Sequence, residues 1–341
     1  MMALQQRLSG AAAETIRSGP GLVLCVLLGA VALGLAGAIP IWGGSGVVYA
    51  LLVGMLLAAV WSPPAICSAG IDAAAKPVLR IGVALLGTQI SAQTLATLDL
   101  ATIALLAVSI IVILVAGALL ARMLGIGREL ALVAAASVAI CGASAAVAFA
   151  LVLARPETRE RDAACTVGAV SVLSTAAMLL YPALAQVLGL DPVATGIFLG
   201  ATIQEVPHAV AAGYGVDAHV GNIATTTKLL RVALLGPALI LVSAAVAGST
   251  ASNRVPTPYG FLPPFLLAFF AFAALNVAEL LPRIIVDTAG PLSRFFLVTA
   301  MAAIGLKLPW RSVTGYGWRP VLLLALLSAL LVAMVAIYLL G

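Results

Sequence analysis

Glu205 and His208 stand three residues apart on either side of Pro207, in the middle of an apolar run. Ionisable side chains at that depth of a bilayer cost roughly 3 kcal/mol or more unless they are solvated or paired, so they point to a cavity or a pathway. A carboxyl and an imidazole this close can pass a proton to a solute or to the bulk. The plainer alternative pairs Glu205 with a cation of a neighbouring helix, where it only holds a bundle together. Gln204 precedes the pair. Upstream, Cys141-Gly142-Ala143-Ser144 interrupts a second apolar run and offers free backbone amides and one hydroxyl. A half-helix that starts near Ala143 would carry partial positive charge and favour an anion. Small residues of this kind also serve as a close-packing surface. A third group is Asn222, Thr225, Thr226, Thr227, Lys228 and Arg231. Lys228 and Arg231 share a helix face, and with the amide and hydroxyls they suit an oxyanion such as sulfate, sulfonate or carboxylate. Snorkelling at the membrane edge is the other reading of two such cations. Arg80, Gln89, Asn276 and Glu279 are lesser candidates, and Asp217 and His219 read as loop residues.

The elements that would position these groups form a matched pair. Each interruption follows an isoleucine, Ile140 or Ile203, and each run resumes with the same triplet, Ala146-Val147-Ala148 or Ala209-Val210-Ala211, six residues past that isoleucine. A membrane helix breaks only where protein or a wet cavity covers the freed amides and carbonyls, so paired breaks mark a site near the midplane. The chain of 341 residues is 63% hydrophobic and 9% charged, with mean hydropathy +1.21. That composition excludes a soluble domain and predicts an all-α polytopic membrane protein. Apolar segments at 21–39, 46–61, 77–90, 101–121, 130–153, 164–189, 193–215, 221–247, 261–281, 294–306 and 320–340 give about 9–11 crossings, two of them broken or re-entrant. One membrane transport domain over 1–341 is expected, with residues 1–20 as a cytoplasmic N-terminal segment and the first helix uncleaved.

Orientation follows from short-loop Lys and Arg. Arg7, Arg17, Lys76, Arg80, Arg122 and Arg128 fall on one side, taken as cytoplasmic, as do Lys307, Arg311 and Arg319; the loops at Gly43 and Asp99 carry no basic residue. The loop Arg155 to Asp162 obeys the rule only if 130–153 is a hairpin that enters and leaves on the same side. The parity of later helices is the same either way. Lys76 to Gly87 resembles Arg294 to Gly305 at equal spacing but with opposite direction, which suggests inverted repeats. The net charge of +5 is read as topology, with no nucleic-acid partner. The cysteines Cys25, Cys67, Cys141 and Cys165 lack metal-ligand or CxxC spacing, so neither metal nor cofactor is expected.

Four stretches carry a resemblance to a known family: Ile81-Gly82-Val83-Ala84-Leu85-Leu86-Gly87, Ile140 to Ala145, Gly200 to His208, and Thr225 to Arg231. They resemble the YeiH family of bacterial membrane proteins, labelled sulfate exporters, and the likeness covers nearly the whole chain. The resemblance implies a bacterial inner-membrane transporter for sulfate or organosulfonates. The residues themselves give a midplane site between broken helices, with a small anionic solute and the bilayer as partners and homo-oligomerisation open. Cys141, Gly142, Ala143, Ser144, Gln204, Glu205, His208, Asn222, Thr227, Lys228 and Arg231 are the expected substrate contacts, with Glu205 and His208 coupling transport to a proton or another ion. Two rivals are weighed: a cation/proton antiporter that binds its ion at Glu205, and an intramembrane hydrolase with Ser144 as nucleophile and His208 as base.

Overall fold

The computed structural model describes residues 2–38, 45–250, 263–307 and 317–341, and all its regular elements there are helices. The expected Gly43 loop and Arg311 lie outside the described residues. Among the described residues, six helices are long and apolar enough to cross a membrane: Ser18–Ala38, Leu100–Leu124, Arg159–Val187, Ala218–Ala244, Arg283–Lys307 and Trp318–Leu340. Shorter apolar helices at Gly46–Val60, Ala143–Leu153, Pro192–Thr202 and Pro264–Val277 fall in four of the other segments read from the sequence. The segment 77–90 holds only a helix of eight residues, Leu79–Leu86, between a wider turn over 74–78 and a tighter one over 87–89. The protein is therefore an all-α polytopic membrane protein. The chain divides into two compact units, residues 1–90 with 268–308, and 91–267 with 309–341.

The first unit contains α1 (Met2–Ala38), α2 (Gly46–Val60), α3 (Ala65–Ala73), α4 (Leu79–Leu86) and α15 (Arg283–Lys307). Helix α1 is continuous from Met2 into the apolar span that begins at Ser18. A π turn over 74–78, around Pro77, joins α3 to α4 without a gap. Lys307 pairs with Asp72, Ser293 Oγ donates to Gly82 O at 2.6 Å, and Gln89 Nε2 donates to Val286 O at 2.9 Å. As one strand of contacts climbs from 72 to 89 the other descends from 307 to 286, so α3–α4 and α15 are antiparallel. The stretches 76–87 and 294–305 thus run in opposite directions, as their resemblance suggests. Asn276, on α14 (Pro264–Val277), donates from Nδ2 to Ile90 O at 3.0 Å. Gln89 and Asn276, two lesser candidates, tie down backbone within this unit.

The second unit carries the principal candidates. After the short α5 (Ala92–Ala96), α6 (Leu100–Leu124) starts at Asp99, whose carboxylate accepts from Thr102 N at 2.7 Å. Helix α7 (Arg128–Ala139) and α8 (Ala143–Leu153) follow, then the long α9 (Arg159–Val187). Glu129, in the first turn of α7, meets Arg155, just past the end of α8, with Nε to Oε1 at 3.1 Å. Two collinear arms of that length would hold these residues roughly 35 Å apart at 1.5 Å per residue. The pair α7–α8 is a re-entrant hairpin.

Helices α10 (Pro192–Thr202) and α11 (Val206–Val216) form a second hairpin against α12 (Ala218–Ala233). A Cβ at Gly196 of α10 would lie 3.2 Å from Val220 O, and one at Gly213 of α11 would lie 3.3 Å from the same oxygen. Both arms therefore pass α12 at one level. Asp191 and Asp217 close the mouth, capping α10 and α12 by accepting from Ala194 N and Val220 N at 2.8 Å. Each hairpin arm has 11 or 12 residues. That is roughly 17 Å of helix, about half of a ~30 Å hydrocarbon core. With α9 crossing between them, the hairpins enter from opposite faces and end near the middle. Arg155, Arg159 and Arg161 consequently stay on the face of Arg122 and Arg128, and the apparent exception to the charge rule disappears. Helix α13 (Leu235–Thr250) continues α12, and α16 (Trp318–Leu340) packs on α6, α7 and α10.

Candidate functional site

The two hairpin tips meet. Gly142 turns the first tip with φ +63° and ψ −120°, a backbone conformation that glycine adopts freely and an L side chain does not. A Cβ there would sit 2.5 Å from Glu205 Cγ, so the Glu205 side chain lies directly on the backbone of the opposite tip. Cys141 is buried beside it, Ala143 is half-buried, and Ser144 is exposed at the start of α8. Glu205 occupies the position just before α11, so both half-helices begin at this junction with their free amides.

Fixed cations hold the C-terminal ends of the other two arms, α7 and α10, at the same tips. Lys228 and Arg231 of α12 are fully buried, which overturns snorkelling at the membrane edge. Lys228 Nζ donates to Ile140 O at 3.1 Å and to Ile203 O. Arg231 donates from Nε to Ala139 O at 3.1 Å, from Nη2 to Val138 O at 3.0 Å and to Ala139 O, and from Nη1 to Ala201 O. The last carbonyls of a helix have no partner within it and carry partial negative charge, so a buried cation there is doubly favourable. One lysine thus joins the two isoleucines that mark the paired breaks in the sequence.

Around Glu205 the partners come mainly from α9. Ser171 Oγ donates to Glu205 Oε1 at 2.9 Å, and Glu205 N donates to Ser174 Oγ at 3.0 Å. His208 Nδ1 lies 3.0 Å from Glu205 Oε2, within ion-pair reach but out of line for an N–H bond from Nδ1. His208 Nε2 lies 3.0 Å from Thr175 Oγ1. Neither ring nitrogen faces Ser144, so the two halves of the hydrolase reading are not assembled. Gln204 Nε2 donates to Ser328 Oγ of α16 at 3.0 Å, while Gln204 Oε1 and Thr227 Oγ1 are buried without a protein partner. Asn222 sits half-buried one level away, accepting from Tyr214 OH at 2.5 Å.

The structure brings Cys141, Gly142, Gln204, Glu205, His208, Lys228 and Arg231 together by direct contact or through the tip backbone. Asn222 instead holds Tyr214, and Asp217 is a helix cap. Ser171, Ser174, Thr175 and Ser328 were not among the sequence candidates. Ser171, Ser174 and Thr175 share one face of α9, and such a hydroxyl row in an apolar span was the available signal. No group of three or more His, Cys, Asp or Glu gathers for a metal among the described residues; the donors here are amides, hydroxyls, one carboxyl and one imidazole.

Two opposed re-entrant hairpins, meeting inside a polytopic helical unit, define the class: a membrane protein with interrupted helices around a buried polar site. The chain belongs to the family described as Conserved hypothetical protein 698, whose model matches residues 20–324. It is 37% identical over 280 residues to a UPF0324 membrane protein of Chlorobaculum tepidum, covering 82% of this chain and 78% of the relative. A UPF0324 membrane protein of Rhizobium meliloti is 40% identical over 304 residues, 88% of this chain and 86% of its own. The UPF0324 membrane protein TauZ of Paracoccus denitrificans is 40% identical over 267 residues, 78% and 79% of the two chains. These relatives are named as membrane proteins, with no enzymatic name among them. No solved structure matches the chain.

Proposed function

We propose that this protein is a secondary transporter, an exporter, of a small anion of the sulfate, sulfite or organosulfonate kind in the bacterial inner membrane, with its N-terminus in the cytoplasm. One observation carries the reading: two re-entrant tips meet with their helix N-termini at a single carboxylate and their C-termini on two buried cations. The charge balance there favours an anion. Lys228 and Arg231 contribute two positive charges against two helix C-termini, each worth roughly half a negative charge. Glu205, when ionised, offsets the two helix N-termini in the same way. The remainder is roughly one positive charge in a site of low dielectric, which attracts an anion and disfavours the cation/proton antiporter.

In this reading the solute docks where Gly142, Ala143, Ser144 and Glu205 meet, against the free amides of α8 and the exposed Ser144 hydroxyl. Cys141, Gln204, Asn222 and Thr227 shape the surroundings. Lys228 and Arg231 supply the positive potential and hold the tips, and Glu205 with His208 couples transport to a proton. Alternating access then requires the hairpins to part from either face in turn. The test is uptake of radiolabelled sulfate, sulfite, taurine and sulfoacetate by the purified protein in liposomes. Saturable flux of at least one above protein-free liposomes supports the reading, and flux of none removes it.

A further inference from the structure

Helix α15 of the first unit carries charge along one side of its first half only. Arg283, Asp287, Gly290 and Arg294 recur at helical spacing, which puts them on a single face. The three charged residues are exposed, and none of them enters an ion pair among the described residues. The Gln89 side chain borders this stripe, 3.2 Å from where a Cβ on Gly290 would stand. The same face continues as Val298, Met301 and Gly305, and there it is apolar and buried. A Cβ at Gly29 of α1 would meet Val298 Cγ1 at 3.0 Å, and Gly305 backs onto Leu51 O of α2. The open, charged half therefore ends blind at Arg294. Along the axis Arg294 lies roughly 17 Å from Arg283 and 20 Å from Lys307, near the middle of a ~30 Å hydrocarbon core. Arg80 of α4 is exposed at the same depth, because Gly82 O, two residues on, accepts from Ser293 Oγ. A guanidinium facing lipid so far from either edge cannot snorkel to water, so such a residue lines a wet path.

We propose that the open half of this stripe is the wall of a water-filled entrance for a small oxyanion, running from the Arg283 end of α15 to mid-depth, with Arg294 as its innermost contact. The inference rests on the anion-transport reading above and adds a second place, on the first unit, where the solute is held. Arg283 and Arg294 outweigh Asp287, and Arg80 adds to the positive potential at the inner end. Charges of one sign on low-dielectric walls concentrate the opposite ion and speed its entry. The planar guanidinium of Arg294, with no ion-pair partner of its own among the described residues, suits two oxygens of a sulfate or sulfonate group. Beyond it the packing of α1 and α2 on α15 seals the face, so this entrance opens to one side of the membrane.

Two measurements test this. In a protein lacking the four native cysteines, held in sealed vesicles of either orientation, Asp287→Cys and Arg294→Cys are expected to react with small impermeant methanethiosulfonates from the Arg283 side only. At Asp287→Cys a sulfonate-bearing reagent should react about tenfold faster than a trimethylammonium one, relative to their rates with a free thiol, and adding Arg294→Gln should lower that ratio. An Arg294→Cys protein that reacts from neither side, as under lipid or a second copy of the chain, overturns the proposal. A ratio that Arg294→Gln leaves unchanged does so too. In the native chain, Arg294→Gln is expected to raise the KM for sulfate or sulfoacetate about tenfold with the melting temperature unchanged, and Arg294→Lys to keep most of the wild-type affinity. A wild-type KM in Arg294→Gln overturns the proposal. Labelling as expected with no flux of any anion leaves the charged entrance standing and counts against the anion-transport reading itself.

Discussion

Replacing Arg231 by methionine separates two roles that a buried arginine beside a transport site can have. The substitution keeps volume and removes every donor, leaving the carbonyls of Val138, Ala139 and Ala201 without their guanidinium partner. A buried acceptor stranded in this way costs roughly 1–3 kcal/mol, so three give about 3–9 kcal/mol before any relaxation. Burial of the charge is itself expensive, and its removal returns part of that, so a net loss of roughly 3–5 kcal/mol is expected, as when one partner of a buried ionic contact is deleted. In a chain of this size that corresponds to a fall in melting temperature on the order of 10 °C. Arg231→Lys, which keeps the charge but loses the fork, should fall between the two. The assay is thermal unfolding of the purified protein in detergent, with transport measured in parallel. An Arg231→Met protein that melts with the wild type and only fails to transport would show that the guanidinium serves the solute, and the clamp argument would be wrong.

Other outcomes follow from the same geometry. Gly142→Ala places a side chain at φ +63° and 2.5 Å from Glu205 Cγ; the backbone penalty of about 1–3 kcal/mol adds to overpacking. Lowered melting temperature and little or no flux are expected, and a wild-type profile would mean the tips do not touch. Ser328→Ala removes the acceptor of Gln204 Nε2, whose Oε1 already lacks a partner, and should cost roughly 1–3 kcal/mol by thermal unfolding. Glu129→Ala breaks only an exposed ion pair at the hairpin mouth and should cost under about 1 kcal/mol. A cysteine pair at 129 and 155 should nonetheless crosslink readily in a background without the native cysteines, whereas a collinear α7–α8 would keep it apart.

Much of this arrangement can be read in the chain itself, and the limits have physical causes. The two breaks are visible because each carries something a spanning helix avoids: a tight glycine turn in one, and Gln204, Glu205 and Pro207 in the other. Their repeated spacing from Ile140 and Ile203 survives into the structure as two carbonyls on one lysine. The direction of the arms was not legible, because a hairpin and a broken crossing leave the same parity for all later helices, and Glu157, Glu160 and Asp162 dilute the arginine signal of the intervening loop. The contact of Glu129 with Arg155 decides it, and that contact spans 26 residues. The role of Lys228 and Arg231 was hidden for a related reason. Their partners are backbone carbonyls 25 to 93 residues away, which have no side-chain signature. Ser171, Ser174 and Thr175 passed unnoticed because hydroxyls are common in apolar spans, where they return their proton to the preceding turn. Thr175 does this as well, and its oxygen lies 3.0 Å from His208 Nε2.

The central claim, that an anion is held where two opposed hairpin tips meet and that this place opens to each face in turn, is tested most directly by a cysteine at position 144. In a protein lacking the four native cysteines, Ser144→Cys should react with a membrane-impermeant thiol reagent added to either side of the bilayer, and sulfate or sulfoacetate should slow both reactions. Reaction from one face only, or rates that neither anion changes, would contradict it.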